Sequence, residues 1–177
     1  LKKEKIIYVN NILQWPTSSL INVIYEQFYK VIIIIPYIFI TNVLNLCKGS
    51  RSIVENYQSL LQKENFDIKS HVIITCLVPA EEILENFFIM LKECTKGYSK
   101  FSYYFFEYKE ADIVKVDIII NKRIIDNLAF LTHKKNSVKK SEAFLKKLSE
   151  VLKKQLYVIR ISTCIGSKII KSITIKE

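Results

Sequence analysis

The spacing of apolar residues changes period several times along the chain, and each change marks an element. Lys30–Ile35 is a continuous, largely β-branched run, the pattern of a strand buried on both faces or nearly so. Pro36 ends it. Ile40, Val43, Leu44 and Cys47 then recur at helical spacing, and Gly49 closes that short helix. Ser52–Leu61 and Ser70–Leu77 read as two strands joined by the polar loop 62–69. Pro79 and the carboxylates Glu81 and Glu82 make a good helix start. Ile83, Leu84, Phe87, Phe88 and Leu91 supply its apolar stripe, and Lys96-Gly97 its end. Phe101–Tyr108 is an aromatic strand. The order βαββαβ predicts an α+β fold of ferredoxin-like type: a four-stranded antiparallel sheet with two helices on one face.

Residues 1–29 lack a sustained period, with Ile6–Val9 the candidate strand and Trp15-Pro16 a stop. They are expected to be a linker and the tail of a preceding domain, with the ferredoxin-like unit over 30–109. A second small α+β unit is expected over 110–177, incomplete at its end. Val114, Val116, Ile118 and Ile120 alternate as a half-buried strand, and a return strand or turn follows around Ile124–Leu131. Asn136 or Ser137 can cap a helix running to Lys154. Tyr157–Thr163 and Lys168–Ile175 read as strands around a turn at Gly166.

Composition adds a partner class. The chain of 177 residues carries a formal charge of +10, with Ile, Lys and Asn favoured as in AT-rich coding sequence. Residues 110–177 hold 15 Lys and Arg against 7 Asp and Glu, and residues 1–109 hold 12 against 10. A basic end suits a polyanion, and equally a solvated lysine surface. In the helix 137–154, Lys139, Lys146 and Lys153 are seven apart, as are Lys140, Lys147 and Lys154. Both rows fall opposite Phe144, Leu145, Leu148, Val151 and Leu152, so a lysine ridge is expected on an anchored helix. Such a ridge fits a phosphate backbone and reads no bases.

Catalytic motifs are not found. Gly49, Gly97 and Gly166 are isolated, so no phosphate loop is present, and His71 and His133 are too separate for a metal cluster. Cys47, Cys76, Cys94 and Cys164 lack zinc or disulfide spacing and read as reduced thiols. Glu81 and Glu82 read as helix-dipole partners. Val31–Cys47 is apolar, but Pro36, Thr41, Asn42 and Asn45 argue for a strand and a helix instead of a membrane span. Lys96–Tyr103 partly resembles the RNP1 motif of RNA-recognition domains. Lys100 stands where that motif needs a stacking aromatic, and the segment falls on the fourth strand, so core packing of Phe101, Tyr103 and Phe105 is expected. Leu1 is not an initiator methionine, and the sequence reads as a piece of a longer chain.

An ordered series of segments resembles the LepA (elongation factor 4) family of translation GTPases over residues 28–177. Val78-Pro79-Ala80-Glu81-Glu82-Ile83, Asn86-Phe87-Phe88, Leu91-Lys92 and Lys96-Gly97-Tyr98-Ser99 resemble IPLAEI…DFFD.LK…RGYAS. Tyr108–Asn121 is similar to YR.SDLVKVDILIN. Asp126–Phe130 with Thr132-His133, and Ile165-Gly166 with Lys168–Ile170, are similar to D.L..I.H and AAIG.KIIA. Pro36, Leu46-Cys47 and Arg51 match the first strand–helix pair. The resemblance implies an elongation-factor-G-like domain V at 30–109 and most of the family's C-terminal domain at 110–177.

It also implies function: docking on the ribosome through large-subunit RNA and proteins, and on tRNA, with no catalysis in these residues. GTP and Mg would belong to the parent protein's N-terminal domain, and no cofactor is expected here. The candidate RNA contacts are His133, Lys134, Lys135, Lys139, Lys140, Lys146, Lys147, Lys153 and Lys154, joined by Arg51 and Lys96 in domain V. Lys134-Lys135 stands where the family has Arg-Asp, Lys140-Ser141 where it has Arg-Gly, and Ser167 where Gly is frequent. Lysine lacks arginine's bidentate fork, which bears on phosphate contacts at these points. Two other readings compete: a free-standing RNA-recognition-type module with an exposed aromatic pair on its sheet, and a regulatory domain with a small-molecule pocket at a sheet edge. A bacterial-type factor from an AT-rich eukaryote would work in a mitochondrion or plastid, and otherwise in the cytoplasm. Oligomeric state is left open by the sequence.

Overall fold

The computed structural model describes residues 5–60, 70–152 and 157–176. They divide into two units, one spanning Tyr25–Glu110 and the other joining the segment up to Ile24 with Ala111 onward. The expected polar loop 62–69 lies outside the described residues.

In the first unit, β1 (Tyr25–Pro36) begins five residues before the apolar run and carries Glu26 and Phe28 inward. It is followed by α1 (Ile40–Gly49), β2 (Ile53–Leu60), β3 (His71–Pro79), α2 (Ala80–Glu85), α3 (Phe87–Cys94) and β4 (Lys100–Glu110). The strands lie in the order β2-β3-β1-β4 with antiparallel neighbours, the ferredoxin-like order. Alternation assigns the layers: Val31, Ile33 and Ile35 of β1 and Val72, Ile74, Cys76 and Val78 of β3 share one face. Val43, Leu46 and Cys47 of α1 and Phe87 and Leu91 of α3 close over that face. Each such Val, Ile, Leu or Phe contributes about 1.5–3 kcal/mol over an exposed position.

Four details depart from the sequence reading. The helix begun at Pro79 is two helices, because Asn86 leaves helical geometry at φ −150°. Asparagine is a poor helix former, and its side chain makes no capping bond at this break. Phe87 is buried, whereas Leu84, counted in the apolar stripe, is 84 % exposed. Ile6–Val9 forms no strand, and Ile6, Ile7 and Tyr8 are exposed. Phe101 does pack, its ring stacked on Phe88 at 4.2 Å, but Tyr103 and Phe105 stay about half exposed beside Tyr29. β4 is an edge strand, which explains the incomplete cover.

The second unit runs β5 (Ile113–Ile120), β6 (Arg123–Ile124), β7 (Phe130–His133), α4 (Ser137–Val151), β8 (Ile159–Ile165) and β9 (Lys168–Ile175). The sheet order is β6-β5-β8-β9, with β7 also paired to β5. Val116, Ile118, Ile161 and Leu145 form its center, with Phe144, Leu148 and Leu152 of α4 packed around them. Phe144 meets Phe130 at 5.8 Å. α4 ends at Val151, and Tyr157 and Val158 precede β8 as exposed residues instead of opening it.

Candidate nucleic-acid interface

The basic candidates fall into three settings. His133 ends β7 and caps a 3-10 turn, Lys134–Asn136, that leads into α4. Its Nδ1 accepts from the Lys135 amide at 3.2 Å. The Lys134 amide donates to the Asp112 carbonyl at 2.9 Å, and the Ser137 hydroxyl to the Lys134 carbonyl at 2.7 Å. These bonds fix the turn's backbone and leave the side chains of Lys134 and Lys135 in solvent.

On α4, burial of Ser141 and Leu145 orients the helix, so Lys139 and Lys146 stand on its exposed face and Lys147 on the exposed flank. Lys140 is half-buried. The ridge is less purely basic than its seven-residue spacing suggests, because Glu150 lies 20° from Lys139 at about 100° per residue. Glu142 is engaged elsewhere, pairing with Lys171 of β9 at 2.8 Å. Lys153 and Lys154 lie outside the described residues. No acid occupies the first turn of α4, which holds Lys139 and Lys140 just after Lys134 and Lys135. The helix dipole is positive there, so each cation costs folding about 0.3–1 kcal/mol and concentrates potential that an anion would neutralise.

Arg51 and Lys96 share a backbone role. Each is the residue past a helix cap with positive φ, 55° and 51°, at the position glycine usually takes. Ser52 N–H donates to the Cys47 carbonyl and Gly97 N–H to the Lys92 carbonyl, which completes a Schellman turn at each end. Lys96 points to solvent. Arg51 does not, and this corrects its expected role: its Nη atoms reach Glu26 at 3.2 Å and Glu81 at 3.0 Å, and Nε is 3.9 Å from Glu82. Its side chain is 13 % exposed, so the charge is consumed inside the unit. Glu81 and Glu82 are thereby partners of Arg51 as well as first-turn acids.

Sequence reasoning passed over a fourth setting, the β5–β6 hairpin. Ile120 pairs with Arg123, and Asn121 and Lys122 between them have φ of 47° and 68°, the signature of a type I′ turn. Asn121 exchanges two bonds with Arg160 of β8: its amide donates at 2.9 Å, and its Oδ1 accepts from the Arg160 amide at 3.0 Å. A two-residue turn signal after an alternating strand was legible, but Lys122 in place of glycine masked it.

The competing sites are weaker. Tyr104 and Phe106 are exposed on the sheet face opposite the helices, but Lys30 Nζ lies 4.0 Å over the Phe106 ring, on an edge strand. A groove between α4 and β9, lined by Leu145, Lys146, Lys171 and Ile173, measures about 170 Å³, below the size of a usual small-molecule site. Among the described residues no His, Cys, Asp or Glu group is arranged to hold a metal, and no helix is long and apolar enough to cross a membrane.

Two family models match successive stretches of the chain. The family model described as "Elongation factor G C-terminus" matches residues 23–119, and "GTP-binding protein LepA C-terminus" matches 120–177. Elongation factor 4 of Mycoplasma genitalium is 38 % identical over 176 residues, and that of Mycoplasmopsis pulmonis 35 % over the same length. Elongation factor 4 of Helicobacter pylori strain 26695 is 34 % identical over all 177 residues. The alignments cover 99–100 % of this chain and 28 % of each relative. With one family model over residues 23–119, more than half its length, and the other over 120–177, the chain belongs to the LepA (elongation factor 4) family and carries its elongation-factor-G-like and LepA C-terminal regions.

Proposed function

We propose that this chain docks a LepA-type translation GTPase on the ribosome and on tRNA, with GTP hydrolysis and its Mg carried by a domain outside these residues. The observation that carries the reading is the concentration of the exposed Lys134, Lys135 and Lys139 around the positive end of α4, with no acid in its first turn. An arrangement unfavourable to folding is sensible where an anion completes it. RNA phosphates are the matching anion in a protein of this family, and the contact would position the protein without reading sequence. The first unit is nearly balanced in charge and would dock by shape, with Lys96 as a peripheral contact.

The test is co-sedimentation of the chain with ribosomes, alongside a tRNA binding titration, at low salt. Wild-type chain should pellet and bind; Lys134→Ala/Lys135→Ala/Lys139→Ala/Lys146→Ala should lose most of both while its melting temperature holds or rises. Failure of the wild-type chain to bind either RNA would sink the reading.

A further inference from the structure

The aromatic side chains of the first unit do not end at its core. Phe88 of α3 stacks on Phe101 at 4.2 Å and meets Tyr103 at 4.9 Å. Tyr29 of β1 stands edge-on to Tyr103 and to Phe105, each at 6.1 Å, and Phe105 meets Tyr108 at 5.3 Å. The strand register puts these rings on one face. Phe101, Tyr103 and Phe105 pair with Ile33, Val31 and Tyr29, and Tyr108 pairs with Gln27, two residues before Tyr29. Val31 and Ile33 belong to the core, so the row starts against α3 and emerges into solvent along the edge strand. Phe88 and Phe101 are half-buried, whereas Tyr103, Phe105 and Tyr108 are about half exposed.

The exposed end of the row is held in place. Gln27 Nε2 donates to the Tyr108 hydroxyl at 3.1 Å, and the Tyr29 hydroxyl donates to Gln27 Oε1 at 3.4 Å. At the other end Lys92 donates to the Ser99 carbonyl, and its Nζ lies 5.7 Å from the centre of the Phe101 ring. Ordered rings with phenol and amide groups among them suit a flat heteroaromatic ligand, which stacks by its face and hydrogen-bonds by its edge. The cation at the head of the row suits the phosphate such a base carries. An added protein strand is the competing occupant of a sheet edge, and the backbone disfavours it. The β1–β4 register slips at Phe106, and a bulge there takes the edge out of regular pairing. Tyr104 pairs with Lys30 and lies on the opposite face, so this row is not the aromatic face of an RNA-recognition domain.

We propose that Tyr29, Tyr103, Phe105 and Tyr108 form a stacking platform for unpaired RNA bases, with Lys92 at its head for an adjoining phosphate. The platform rests on the RNA-docking reading above and gives the nearly neutral first unit a contact that salt does not screen.

The experiment titrates the full chain with short oligoadenylate and with an RNA duplex of equal length, at several salt concentrations. Tyr103→Leu/Phe105→Leu keeps apolar bulk on β4 and removes two stacking faces. Tyr103→Phe/Phe105→Tyr exchanges the rings and keeps both. The leucine variant should bind oligoadenylate about tenfold or more weakly, with a wild-type melt. Its duplex affinity and its slope of log K on log salt should hold, since no cation is lost. The ring-exchanged variant should stay within about twofold of wild type. Wild-type oligoadenylate affinity in the leucine variant overturns the proposal, and so does an equal loss of duplex binding. Reduced co-sedimentation with ribosomes while oligoadenylate binding is intact also overturns it, by marking the row as a protein contact. If the double variant melts early, Tyr103→Leu alone decides on the same terms. A wild-type chain that binds duplex but no oligoadenylate overturns the platform and leaves the RNA-docking reading standing. A chain that binds neither overturns both.

Discussion

Arg51 and Glu26 are joined through both guanidinium Nη atoms, at 3.2–3.3 Å from the carboxylate oxygens, although 25 residues separate them. Glu81 adds a third charge at 3.0 Å. Removing the guanidinium would leave partly buried carboxylates facing one another, the costly way to break such a cluster. Arg51→Ala should therefore destabilise the first unit by roughly 3 kcal/mol, measured by urea unfolding. The salt dependence of RNA binding should be unchanged in the folded variant. A reduced slope would restore Arg51 as an RNA contact.

Lys96 offers the complementary case. It occupies the left-handed position of the Schellman turn after α3, with its side chain in solvent. Lys96→Gly should raise stability by about 0.5–1 kcal/mol, since glycine meets no Cβ penalty there. Lys96→Val, β-branched at positive φ, should lower it by about 1–2 kcal/mol. Urea midpoints for the two variants check the order, and a destabilised glycine variant would contradict it.

The cysteines give a chemical probe of the first unit's core. Cys47 and Cys76 are buried side by side in it. The hydrogen bond with Cys47, then burial, push the Cys76 thiol far above its ordinary range; the same bond draws Cys47 down. Thiolate is the reactive form, so Cys76 should resist alkylation throughout the native pH range. Mass spectrometry after iodoacetamide at pH 8 should find Cys94, which is only half-buried, modified before Cys76. Native-state modification of Cys76 ahead of Cys94 would show that this core opens locally.

Much of this was legible because it is local. The β-branched run of β1, the period of α1 and the alternation of β5 each lie within a dozen residues, and all three elements form as their spacing requires. Part of the lysine ridge was legible too: the seven-residue spacing finds Lys139, Lys146 and Lys147 in solvent, although Lys140 is half-buried, Glu150 is exposed near the same face, and Lys153 and Lys154 lie outside the described residues. What the sequence hid is long-range. Nothing at Arg51 announces Glu26 or Glu81, because only the packing of three elements brings them together. Arg160 likewise joins the Lys122 hairpin only through the β5–β8 register. The split of the helix at Asn86 was hidden for another reason: apolar residues continue on both sides of it, so periodicity alone carries the helix through.

The central claim is that the lysines around the start and exposed face of α4 hold RNA through its phosphates. The most direct measurement is the salt dependence of tRNA binding for wild-type chain and for Lys134→Ala/Lys135→Ala/Lys139→Ala/Lys146→Ala. The slope of log K on log salt should fall by about three to four, near one for each lost contact, while the melting temperature holds or rises. A variant that binds with the wild-type slope would show that this surface is solvated lysine and not the RNA-docking face.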